Sequence, residues 1–168
     1  MSEARKENQD SGPRWITSYS PKVVGSDSRE RIPVLSEYMD SRPPTLKPDM
    51  HVYDAIDVLL KRKVTGAAVV DDSGVLVGIL SEKDCLRTTL HGAYDSNPGG
   101  LVSDYMTTEL VTVSPDTDMI SLVNLFLEKP NRRVLVTEGD RLVGQVTRRD
   151  VLREIQKLIR KKKNGSFF

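Results

Sequence analysis

Two short segments concentrate the side chains able to do chemistry: Ser81-Glu82-Lys83-Asp84 and Thr147-Arg148-Arg149-Asp150. In each, a hydroxyl is followed three residues later by a carboxylate, directly after a stretch that opens with glycine, Gly78-Ile79-Leu80 and Gly144-Gln145-Val146. Structurally this reads as a strand running into a helix, with Ser81 or Thr147 accepting from the free N–H groups of the first turn and the acid completing a capping box. Taken alone, the spacing favours that cap, which begins many ordinary helices. Chemically, the same helix start favours an anion through its unpaired N–H groups and dipole, so a phosphate suits the neighbourhood of the hydroxyl. An aspartate one turn on suits a ribose diol, because a charged acceptor makes the stronger hydrogen bonds.

Other reactive residues carry less. His51 and His91 are isolated and lack the spacing of a zinc site, which predicts surface or helix-end histidines. Cys85 follows Asp84 on an apolar helix face and reads as a small buried residue rather than a nucleophile. No catalytic triad pattern and no Gly-rich phosphate loop is present; Asn97-Pro98-Gly99-Gly100 reads as a linker. Arg160-Lys161-Lys162-Lys163 reads as a solvated basic tail that complements a helix C-terminus.

The elements that position the two segments come from an internal repeat. Leu35-Ser36-Glu37-Tyr38-Met39 recurs as Val102-Ser103-Asp104-Tyr105-Met106, and Pro48-Asp49 recurs as Pro115-Asp116, both 67 positions on. After one deletion near Gly74 the offset is 66, matching Leu76-Val77-Gly78 with Leu142-Val143-Gly144 and Asp84-Cys85-Leu86-Arg87 with Asp150-Val151-Leu152-Arg153. Val52, Ala55, Ile56, Leu59 and Leu60 share one helix face, as do Met119, Leu122, Val123, Phe126 and Leu127, and both faces are expected to be buried. Pro48-Asp49 and Pro115-Asp116 mark the helix starts. Residues 67–70 and 75–80, joined by Asp71-Asp72-Ser73-Gly74, predict a hairpin, and residues 134–137 and 141–146 predict its counterpart. A last helix carries Val151, Leu152, Ile155, Leu158 and Ile159. Each copy is too small to stand well alone, so the two are expected to pack sheet against sheet about an approximate twofold axis, leaving clefts between them.

Bulk properties bound the function. Lys plus Arg number 25 against 24 Asp plus Glu, so no overall field gathers nucleic acid or anionic membrane. No stretch approaches the roughly 20 apolar residues that span a bilayer. Met1 to Gly12 lacks the apolar core of a secretory signal and there is one cysteine, which predicts a cytoplasmic protein. The expected organisation is a flexible or loosely docked arm over 1–33, repeat one over 34–95, repeat two over 96–160 and a basic tail over 161–168. Within the arm, Trp15, Ile16 and Tyr19 are either an incidental apolar cluster or an anchor on the module or a partner.

The pattern Gly, two mostly apolar residues, Ser or Thr, two variable residues and Asp, doubled about 66 positions apart, resembles the CBS domain family over residues 34 to 160. The resemblance implies an α/β (α+β) fold of two β-α-β-β-α units paired into a Bateman module. It also implies a non-catalytic regulatory role, binding AMP, ADP, ATP or S-adenosylmethionine in the clefts, and a homodimer whose regulated partner protein is unknown. By the same resemblance, one cleft combines Ser81 and Asp84 with Thr112 and Val113 near the adenine and Arg132 and Arg133 near phosphate. Read from their positions alone, the two arginines are equally solvated charges at a strand entry. The other cleft combines Thr147 and Asp150 with Thr45, Leu46, Thr65, Gly66 and Ala67, and with Arg149 as its nearest cation. The chain departs from the family in having Ala68 and Leu135 where many members have proline, and Gln145 where the residue facing adenine is usually apolar. A ligand-free dimerisation or protein-interaction module is the alternative expectation.

Overall fold

The structure, a computed structural model, describes residues 16–18, 31–92 and 99–165. Trp15, Tyr19, Asn97 and Pro98 lie outside the described residues, as does the side chain of His91. Repeat one is built from β2 (Thr45–Leu46), α1 (Val52–Arg62), β3 (Gly66–Val70), β4 (Leu76–Ser81) and α2 (Glu82–Gly92). Repeat two follows as α3 (Val102–Tyr105), β5 (Leu110–Val113), α4 (Met119–Glu128), β6 (Arg133–Glu138), β7 (Arg141–Thr147) and α5 (Arg148–Gly165). The expected β-α-β-β-α order is therefore present twice.

Each hairpin follows from its turn residues. Asp71 Oδ1 accepts from the N–H groups of Ser73 at 2.8 Å and Val75 at 2.9 Å, and Gly74 takes the left-handed φ of 81° that the turn requires. In each repeat the hairpin's first strand runs parallel to the repeat's leading strand, giving the sheet β2-β3-β4 and its counterpart β5-β6-β7. Within the arm, Ile16–Ser18 forms a further strand, β1, parallel to β5 in register Ile16↔Leu110. A strand of three residues has too little length for periodicity, so the sequence offers no signal for it.

Apolar packing explains the layers. Leu46, Ala55, Leu59, Val69 and Leu80 form a core between the first sheet and its helices, and Val113, Leu122, Leu125, Val134, Val146 and Val151 do the same in the second. Ala68, Val70, Leu76, Leu110 and Leu135 form a third cluster between the two sheets, so the halves stack sheet to sheet. Two expectations need correction. Leu60 and Leu127 are exposed, as are Leu152 and Ile159, because each helix buries a stripe narrower than its apolar face. The helices also begin later than the Pro-Asp pairs, with His51 and Asp118 as their N-caps.

The halves are exchanged at their leading turns. Leu35, from repeat one, completes the core of repeat two, while Val102 completes the core of repeat one. Ser36 N–H donates to Pro115 O at 2.8 Å and Ser103 N–H donates to Pro48 O at 3.0 Å. The carbonyls of the Pro-Asp loops thus receive the opposite repeat, and the pair is the unit that closes both cores.

Candidate functional site

The glycines of the two motifs explain how the site is assembled. A Cβ at Gly78 would lie 2.5 Å from Met106 Sδ, and one at Gly144 would lie 2.9 Å from Asp40 O. Glycine is required because the segment leading each repeat passes directly over the last strand of the other. That approach lets Thr107 and Ile79 exchange backbone hydrogen bonds of 2.9 and 3.0 Å, and Asp40 and Gln145 exchange two of 2.9 Å.

Ser81 ends β4 and α2 begins at once. Asp84 Oδ2 accepts from Ser81 N–H at 3.0 Å and from Ser81 Oγ at 2.5 Å, while Asp84 N–H donates back to Ser81 Oγ at 3.3 Å. This is a capping box, and it fixes a buried carboxylate at the helix start. Among the described residues, Asp84 Oδ1 meets only Arg87, at 3.2 Å, whose side chain is more than half exposed. Oδ1 is therefore the oxygen available for exchange with another donor. Thr147 and Asp150 repeat the box at 2.8, 2.6 and 3.3 Å, with Arg153 in the place of Arg87 at 2.7 Å.

A cavity of about 610 Å³ opens beside Asp84, within the range of small-molecule sites. One wall is repeat one: Thr65 and Gly66 at the start of β3, Ile79 and Ser81 on β4, and Glu82, Lys83, Asp84 and Arg87 on α2. The other wall is repeat two: Thr107, Glu109, Leu110 and Val111 around the start of β5, then Pro130 to Arg133 and Leu135 around β6. Lys83, Arg87, Arg132 and Arg133 share the lining with Glu82, Asp84 and Glu109, which gives four cations against three carboxylates. With the α2 N-terminus added, the local field favours an anionic group.

Ser81, Asp84, Arg132, Arg133, Thr65 and Gly66 line this one cavity. Thr65 and Gly66, expected in the Asp150 cleft, lie instead on the Asp84 side. Thr112 and Val113 do not line the cavity; they are 0% and 1% exposed, and Thr112 Oγ1 has no hydrogen-bond partner among the described residues. The cavity sits at the strand entries, so Glu109 to Val111 form its wall and the next two residues enter the core. Leu46 and Ala67 are likewise core residues, Thr45 is exposed opposite Ala68, and Arg149 is exposed in the first turn of α5.

Arg133 is not a free surface charge. Its guanidinium donates to the carbonyl of Gly66, to Thr65 Oγ1 at 2.7 Å and to Gln145 Oε1 at 3.4 Å. All three acceptors are neutral, and burial lowers its pKa, opposed by the charge of Glu82. A desolvated cation without a carboxylate contact on a cavity wall is electrostatically suited to an incoming anion. Cys85, behind Asp84, is buried, and burial together with Asp84 and Glu82 pushes its thiol pKa up, so it supplies no nucleophile here.

Two stretches, residues 35–91 and 102–157, match the family model of the CBS domain. The chain belongs to the CBS domain family. It is 31% identical over 147 residues to "CBS domain-containing protein CBSX2, chloroplastic" of Arabidopsis thaliana, covering 72% of this chain and 62% of that protein. It is also 31% identical over 118 residues to CBS domain-containing protein YhcV of Bacillus subtilis, covering 70% and 81%. The CBS chain thus spans less than two thirds of the plant relative's length. Its structure is similar to that of CBSX2 in complex with AMP, with a TM-score of 0.67 and 30% identity over 74% of this chain and 97% of that one. The CBS domain pair of MJ0100, solved with 5′-methylthioadenosine and S-adenosyl-L-methionine, shares the fold at a TM-score of 0.65 and 22% identity, covering 76% and 98%. Among the described residues, no helix of this CBS pair is long and apolar enough to cross a membrane.

Proposed function

We propose that the chain is a regulatory sensor that takes an adenosine-containing nucleotide, of the AMP, ADP or ATP class, into the Asp84 cavity. The carrying observation is that a capped strand-to-helix junction in one repeat faces a cavity walled by β5 and β6 of the other. Asp84 Oδ1 exchanges Arg87 for the ribose hydroxyls, Oδ2 stays in the cap, and the base covers Ile79 and Leu110. The phosphate goes to the α2 N-terminus, Arg132 and Arg133. A ligand so placed touches both repeats and biases their packing; no catalytic step is involved. The CBSX2 structure with AMP supports the ligand class. Leu60 and its counterpart Leu127, with Leu86 and its counterpart Leu152, are exposed on four helices, which supports a homodimer formed through helix faces. A reducing compartment, the cytoplasm, completes the proposal.

The test is calorimetry and thermal shift with AMP, ATP and S-adenosylmethionine. Ligand at about 100 times its Kd stabilises the fold by about 2.7 kcal/mol. Asp84→Ala is expected to weaken AMP binding by roughly tenfold to a hundredfold, the equivalent of about 1.5 to 3 kcal/mol. No shift with any of the three compounds overturns the sensor reading and leaves an interaction module. Sedimentation of the unliganded chain as a monomer removes the dimer.

A further inference from the structure

The two capping boxes are related by the internal twofold, but the residues between them are not. Where the Asp84 cavity has the apolar side chain of Ile79, the counterpart is Gln145, only 7% exposed. Gln145 Oε1 accepts from Arg133 at 3.4 Å, its Nε2 donates to Asp40 Oδ2 at 3.2 Å, and its backbone is paired to Asp40 as well. Arg133 itself occupies the position of Gly66 in repeat one, 67 residues earlier, and reaches across the axis to the carbonyl of that same glycine. A side chain at Gly66 would place its Cβ 2.8 Å from Leu80 O, so repeat one cannot carry a matching arm.

We propose that Asp40, Gln145 and Arg133 form an internal plug that closes the cleft on the Asp150 side, so that each chain takes one nucleotide, at Asp84. This rests on the nucleotide reading above and deepens it. A flat apolar base is held by apolar surface, and Ile79 offers that surface. Over Gln145 the base meets an amide already bonded on both sides, and displacing it strands a buried oxygen, a buried nitrogen and a guanidinium hydrogen. Thr147 and Asp150 then act as a helix cap alone.

Calorimetric titration of the full chain with AMP separates the possibilities. The wild-type chain is expected to bind one AMP per chain, and Asp84→Ala to retain no site of wild-type affinity. Gln145→Ile, and Gln145→Met as a second variant in case the first folds poorly, should raise the count to two per chain with an unchanged far-UV spectrum. Two AMP per wild-type chain, a full-affinity site surviving in Asp84→Ala, or both folded Gln145 variants staying at one per chain each overturns the plug. A wild-type chain that takes up no AMP overturns the nucleotide reading itself, and the plug with it.

Discussion

The two halves share a backbone plan and differ in what they put at its equivalent points. Repeat one presents Thr65, Gly66 and Ile79 where repeat two presents Arg132, Arg133 and Gln145, and β5 is entered through Glu109-Leu110-Val111 where β2 is entered through Arg42-Pro43-Pro44. The small and apolar set leaves space beside Asp84. The larger polar set lends its arginines to that space and ties Gln145 to Asp40. Duplication therefore supplies two similar helix starts, and a few side chains at the strand entries make their surroundings differ. The architecture tolerates this divergence because both capping boxes are satisfied locally, within four residues, whatever the neighbouring cleft contains.

The largest expected difference between the halves lies at the motif glycines. Either Cβ first meets a flexible methionine, Met39 Sδ at 2.8 Å from Gly144 and Met106 Sδ at 2.5 Å from Gly78. Gly144→Ala also meets the bridged backbone oxygen of Asp40 at 2.9 Å, whereas at Gly78 the equivalent oxygen, of Thr107, lies at 3.2 Å. Overpacking costs about 1 to 3 kcal/mol, and Gly144→Ala is expected near the top of that range with Gly78→Ala below it. Urea unfolding of both variants measures the gap; equal costs would mean that the two crossings are equally compliant.

A smaller contrast separates the caps of α1 and α4. Asp118 accepts from Ser121 N–H at 2.9 Å and Ser121 Oγ at 2.5 Å, while His51 Nδ1 accepts from Tyr53 N–H at a longer 3.4 Å. Asp118→Ala should cost about 1 kcal/mol and His51→Ala less. Burial opposes the Asp118 charge, but the hydrogen bonds from Ser121 and Ile120 outweigh it and hold its pKa below the ordinary 3.8. A depressed folded pKa means that the unfolded chain binds the proton first as pH falls. The stabilisation is therefore complete above the unfolded value and is lost as pH drops through the folded one. Thermal melts of wild type and Asp118→Ala should accordingly converge as the pH falls below 3.8; a gap that stays constant with pH would remove the charge from the explanation.

The smallest effect is a gain. Thr112→Val replaces a buried hydroxyl that has no partner among the described residues by a methyl group of similar volume and should stabilise by up to about 1 kcal/mol, whereas Thr45→Val, at the exposed counterpart, should be neutral. The same variant sharpens the site: if Thr112 lies behind the cavity wall, AMP affinity is unchanged, and a loss would return it to the wall.

What the linear order of residues determined is the repeat, the strands and helices within it, and the two hydroxyl-to-aspartate junctions. These are local properties, set by apolar periodicity, turn residues and contacts across three or four positions. Leu35-Ser36-Glu37-Tyr38-Met39 was visible as a repeated string, but its exchange onto the opposite core was not, since nothing in a string says which copy it packs against. The same reason hid the exposure of Leu60 and Leu127, the wall formed by Glu109 to Val111, and the placement of Thr65 and Gly66 beside Asp84. Most of all it hid the reach of Arg133 to a glycine 67 residues away, which depends on two sheets being stacked about an axis. Tertiary structure decided these points because each depends on which surfaces meet when two similar halves bury their apolar faces together.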